Sequence, residues 1–96
     1  MTKYNLPVEY DNVPVKERRL VREQYIKEQN NLCMFCEEDL FSEPPERITD
    51  QNIDWCAFPP GFLNYPVHLQ HCHTTGLTEG AVHAYCNAVM WQYHGR

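Results

Sequence analysis

The clearest periodic stretch in the chain is KERRLVREQYIKEQNN. Leu20, Val21, Tyr25 and Ile26 recur at helical spacing and form a narrow apolar stripe. Pro14 can open this helix, because its missing N–H is not needed at a first turn. Asn30 and Asn31 can close it, so the pattern predicts a helix from about Val15 to Gln29. Residues 1–13 show no period and read as a loose arm or an edge segment. After LCMFC the pattern is lost. Five of the seven prolines fall between Glu37 and Pro66, which predicts mostly loop. Trp55, Phe58 and Phe62 argue that this loop is packed down. Val67 to His73 then reads as a strand, TTGLTEG as a turn and Ala81 to Tyr85 as a returning strand. Asn87 to Tyr93 has helical character, with Trp91, Tyr93 and Trp55 expected in the core. The fold class that follows is small α+β: an N-terminal helix, a cysteine knuckle, a β-hairpin and a short helix.

Length and composition narrow the reading. The chain has 96 residues, and this predicts one domain, residues 14–96, behind an arm of residues 1–13. So short a chain buries a modest core, and a metal staple would help it. No apolar run could span a bilayer, so a membrane is not an expected partner. The first residues do not resemble a signal peptide, and the expected location is the reducing cytoplasm. There, five cysteines read as thiols or metal ligands before disulfides. Net charge is −5, which argues against a general nucleic-acid coat. Its distribution argues differently. Lys16, Arg18, Arg19, Arg22 and Lys27 cluster on the first helix, and the acidic excess lies between Glu37 and Asp54.

Two cysteines two residues apart, Cys33 and Cys36, offer half of a tetrahedral zinc site. The other half could come from His83 and Cys86, or from among His71, Cys72 and His73. Spacing favours His83 and Cys86, which repeat the two-residue gap where a strand meets a helix. Cys72 and His73 are adjacent and would point to opposite faces of a strand. We therefore assign a structural zinc to Cys33, Cys36, His83 and Cys86. A redox role for Cys33 and Cys36 would need a thioredoxin-like βαβ context, which the pattern lacks. Cys56 reads as a small buried residue.

This leaves HLQHCH, residues 68–73. A neutral histidine is a good general base near pH 7. Asn87 follows the last zinc ligand, and its amide oxygen could join the shell of a hard cation. A base beside a divalent cation is the minimum apparatus for hydrolysing a phosphodiester. A zinc nucleotide deaminase would need H-x-E and P-C-x-x-C, and neither is present.

CMFC, HLQHCHTTG and GAVHAYCN together resemble the HNH, or ββα-metal, endonucleases, and within them the phage recombination endonuclease VII family. The resemblance covers about two-thirds of the chain, from Cys33 onward. It implies a treble-clef-like, zinc-stabilised domain. It also implies His71 as general base, Asn87 as ligand to a catalytic Mg2+ or Mn2+, and His68 and His73 as flanking groups that position phosphate or water. Branched DNA is the implied substrate, contacted along its backbone by Arg18, Arg19 and Arg22. A homodimer through the N-terminal helix is the expected assembly, and a host's cytoplasm the expected setting. The chain departs from the family where its two aspartates stand: Gln70 and Cys72 occupy those positions. Gln70 can offer a carbonyl oxygen, but a carboxylate is the better magnesium ligand. Cys72 suits softer metals. Three states stay open: an active site, a weakened one, or a scaffold retired to binding DNA or inhibiting a protein partner through the acidic segment.

Overall fold

The computed structural model describes residues 4–94. Helix α1 spans Arg18–Glu28, after a tighter 3-10 turn at Val15–Glu17. It ends as its asparagines predict. Asn30 and Asn31 take φ of 55° and 65°, a region asparagine tolerates better than most residues. The amide of Asn31 bonds the Ile26 carbonyl and that of Asn30 the Lys27 carbonyl, a Schellman closure. Val21 of the predicted stripe is fully buried, and Tyr25 and Ile26 pack on the core. Leu20 is 37% exposed and stands outside it.

The cysteine knuckle follows directly. Leu32 bridges Asp39, and the Cys33 amide bonds the Glu38 carbonyl, so the chain reverses around Cys33 and Cys36. The long connection holds one helical turn, α2 at Glu46–Thr49, whose Ile48 is buried. It is tied to the last helix, where Gln92 bonds the Asp54 amide and the Asn52 carbonyl.

Strands β1 (Val67–His71) and β2 (Thr78–His83) form an antiparallel hairpin, and helix α3 spans Ala84–His94. These limits differ from the sequence pattern. β1 stops at His71, because Cys72 and Gly76 close a tight turn, with Gly76 at φ 77°. Thr78–Gly80 are strand where a turn is expected, since Thr78 and Gly80 pair with His71 and Gln70 of β1, while residues 8–10 pair with Gly76–Thr78 at the start of β2. Ala84 and Tyr85 are helix where strand is expected: α3 begins with no loop after His83. Between Gln70 and His71 the register shifts by one residue, a bulge that accommodates Glu79 on β2.

The core joins Leu40, Ile48, Val67, Ala81, Val82, Val89 and Met90 to three cysteines. Cys56 is exposed, contrary to the buried position expected for it, because its turn lies on the outside of the long connection. Trp55, Trp91 and Tyr93 are 39%, 49% and 48% exposed, not core: Ala88, Val89 and Met90 form the inner side of α3, which turns Trp91 and Tyr93 outward, and Trp55 stands on a turn with no buried residue. Among the described residues no helix is long and apolar enough to cross a membrane.

One close approach holds the hairpin against α1. The Gln29 amide bonds both backbone groups of Ala81 and the Leu32 carbonyl. A Cβ on Gly80 would lie 2.8 Å from the Gln29 Oε1 and 3.0 Å from the Met34 Sδ. Gln29 is pinned by three bonds and cannot yield freely, so Gly80→Ala is expected to destabilise by about 1–3 kcal/mol. A urea midpoint unchanged in that variant would contradict this packing.

Candidate metal centre and histidine cleft

The strand–helix junction without a loop sets the first site. His83 ends β2 and Cys86 lies in the first turn of α3, so one rigid corner offers both. The knuckle brings Cys33 and Cys36 to them, and the Met34 amide, bonded to the Ala81 carbonyl, holds it there. All four residues are buried, and their donor atoms lie within 4.8 Å of one another. The His83 Nδ1 is 3.3 Å from the Cys36 sulfur and 3.6 Å from that of Cys86. A tetrahedral zinc at ordinary bond lengths would set its donors about 3.5–3.8 Å apart.

The surroundings suit a cation. His83 Nε2 lies 2.7 Å from the Asp39 carbonyl oxygen and 3.0 Å from that of Ser42. Carbonyls only accept, so Nε2 carries the proton and Nδ1 keeps its lone pair toward the sulfurs. The Phe35 and Cys36 amides point at the Cys33 sulfur. A hydrogen bond from the Cys86 thiol, with help from those amides, lowers Cys33 to about 4. Cys86 is pushed up, first by the same bond and then by burial, and Cys36 is raised mainly by burial. One thiolate can be held here by hydrogen bonds alone; ionising all three thiols calls for a dication. The cluster is a buried Cys3His site able to hold a metal such as zinc.

The second site is a cleft of about 280 Å³ between α1, β1 and α3. Arg18 and Arg22 reach it from α1; His68, Gln70 and His71 from β1; His73 from the turn; and Asn87 from α3. Arg19 is not among its walls and pairs with Glu23 at 3.2 Å on the outer face of α1. Asn87 is 8% exposed. Its amide nitrogen donates to His68 Nδ1 at 3.1 Å, while its Oδ1 is buried with no hydrogen-bond partner. A buried acceptor left unmade costs about 1–3 kcal/mol, so this oxygen fits a cation ligand. Gln70 is 2% exposed, and its amide nitrogen is engaged by the His71 carbonyl at 3.0 Å and the Glu79 carboxylate at 3.5 Å.

Burial, opposed in part by backbone bonding to Phe62 and Tyr65, holds His68 below the ordinary histidine range. Burial and then the neighbouring His73 do the same to His71. Both are therefore neutral at pH 7. Cys72, beside them, is drawn down by hydrogen bonds from Thr75 and Thr74.

Two neighbours of His71 are absent from the sequence reading. Tyr10 stacks on its ring at 4.0 Å with 9° between the planes, and the Arg18 guanidinium lies 4.0 Å from the Tyr10 ring centre. Glu79 puts a carboxylate beside Gln70. Tyr10 sits in an arm without period, and its backbone bond to Gly76, just before β2, joins residues far apart in the chain. Glu79 turns this way at a bulge that no local pattern announces. No known family model, curated protein or solved structure matches the chain.

Proposed function

We propose that the protein is a metal-dependent DNA endonuclease of the HNH, or ββα-metal, kind, similar to the phage recombination endonuclease VII family, built on a structural zinc at Cys33, Cys36, His83 and Cys86. The observation that carries this reading is the unpartnered Asn87 Oδ1, buried in the cleft that also holds a neutral His71 and two arginines. His71 takes the proton of the attacking water. Arg18 and Arg22 seat the backbone phosphates, and exposed His73 orients the scissile one. Asn87, with Gln70 or a water beside it, would hold magnesium or manganese, which when bound neutralises charge developing on the phosphate.

A second reading rests on Gln70. Its amide is buried and bonded within the protein, where a carboxylate would serve a hard cation far better. On this reading the scaffold binds DNA or a protein and cuts weakly or not at all. The deciding assay is cleavage of supercoiled and branched DNA by zinc-loaded protein, in magnesium and then in manganese. Cleavage is expected in manganese first, and Gln70→Asp is expected to raise the magnesium rate at least ~10-fold, the effect of about 1.4 kcal/mol on the barrier. A folded protein that cuts in neither metal, with or without Gln70→Asp, would exclude the nuclease.

A further inference from the structure

The cleft has a rim that phosphate chemistry does not use. Tyr65 and Trp91 both line it, and they are 70% and 49% exposed. Trp91 is not a loose side chain. Its indole meets His73 edge-on at 4.8 Å and Phe58 edge-on at 6.5 Å, so its plane is set while half of it faces solvent. Behind it Phe58 packs on Trp55 and Phe62, and Phe62 on His68. The long connection thus builds an aromatic wall that ends at the cleft.

We propose that Tyr65 and Trp91 are a stacking platform for unpaired nucleobases, so that the cleft takes single-stranded DNA, or a single-stranded segment of a larger DNA, beside the scissile phosphate. The inference deepens the endonuclease reading and rests on it for the nature of the ligand. Three features argue for a nucleobase. A base has two apolar faces and a charged backbone a few ångströms away, and the cleft offers exposed rings next to Arg18 and Arg22. The chain carries −5 overall, so placing two arginines beside open aromatic rings concentrates positive charge where a backbone would run. In duplex DNA the base faces are already stacked on one another. Only unpaired bases can use such rings, and each one stacked contributes about 1–3 kcal/mol.

In a Trp55→Phe background, Trp91 is the single tryptophan of the chain, and its fluorescence reports the platform directly. Titration at low salt without divalent cation, using a short oligo(dT) and then a blunt duplex of equal length, separates binding from cleavage. Oligo(dT) is expected to quench Trp91 and to bind more tightly than the duplex. In direct binding assays Trp91→Ala or Tyr65→Ala is expected to weaken oligo(dT) by roughly 5- to 100-fold, the equivalent of one lost stack. Trp91→Tyr should recover most of that loss, and duplex binding should move less than twofold. Equal losses on both ligands, or no loss on oligo(dT), would overturn the platform. So would an absence of quenching by either DNA, which would leave the rim to a protein partner. Binding and quenching without any cutting in magnesium or manganese would sink the nuclease and keep the platform. Cutting of duplex with no preference for unpaired bases would do the reverse.

Discussion

Stripping the metal from Cys33, Cys36, His83 and Cys86 is expected to unfold the protein. The four residues are not an appendage. Cys33, Cys36 and Cys86 are 1%, 2% and 0% exposed and form part of the same core as Leu40, Val82 and Met90. They join the knuckle to the corner between β2 and α3, and α3 also carries Asn87 and Trp91 of the cleft wall. Binding of a structural zinc is worth about 10–16 kcal/mol in small domains. Total stabilities run about 5–15 kcal/mol, so the metal can supply most of what holds this chain folded. A strong chelator should abolish the far-ultraviolet helix signal and the cooperative thermal transition, and zinc should restore both. Elemental analysis should find one zinc per chain. Cys86→Ser should behave like the chelated protein, whereas Cys56→Ser, on an exposed turn, should stay within about 0.5 kcal/mol of the parent. Acid should act in the same direction as chelator, because protons compete for the thiolates and for His83. A chelated protein that melts cooperatively at the original temperature would refute a structural metal.

The buried Cys3His cluster was legible in the sequence because its two halves are local. C-x-x-C closes within one turn and H-x-x-C within another, and a tetrahedral ion needs just those two pairs. The order of helix, knuckle, hairpin and helix was legible for a similar reason: it follows from short-range period and turn chemistry. What could not be read depends on contacts between distant parts of the chain. Tyr10 reaches His71 because the arm pairs with Gly76–Thr78 where β2 begins, and no residue in MTKYNLPVEY announces that partner. Trp91 looks like core by composition and is half exposed, since the small and aliphatic residues of α3 face inward and fill the space. Arg18 and Arg19 are equivalent by composition, yet one turns to Tyr10 and the cleft while the other pairs with Glu23. A bulge at Gln70 and His71 brings Glu79 beside the site, and a strict two-residue alternation cannot foresee it.

His71→Ala is expected to lower DNA cleavage by roughly 10²- to 10⁴-fold, the usual contribution of a positioned general base. The choice of His71 over its neighbours is geometric. His68 is engaged by Asn87 through Nδ1, so its ring is held toward that amide. His73 is exposed and packs against Trp91, which suits contact with substrate better than deprotonation of a sheltered water. His71 lies between them, partly buried, with one ring neighbour in Tyr10 and another in His73. Burial and His73 hold it below the ordinary histidine range, and a cation seated beside it would push it further the same way. A base acts in its neutral form. The rate should therefore be level from neutral pH upward and fall in acid, through a midpoint below 6.5. His71→Ala should remove that acid limb along with most of the rate, and added imidazole should restore part of both. Binding of uncleaved DNA should survive the substitution, since Arg18 and Arg22 supply the backbone contacts on this reading. If His71→Ala cuts as fast as the parent, with the same acid limb, the base must be sought elsewhere in the cleft, and His73 is the next histidine to replace.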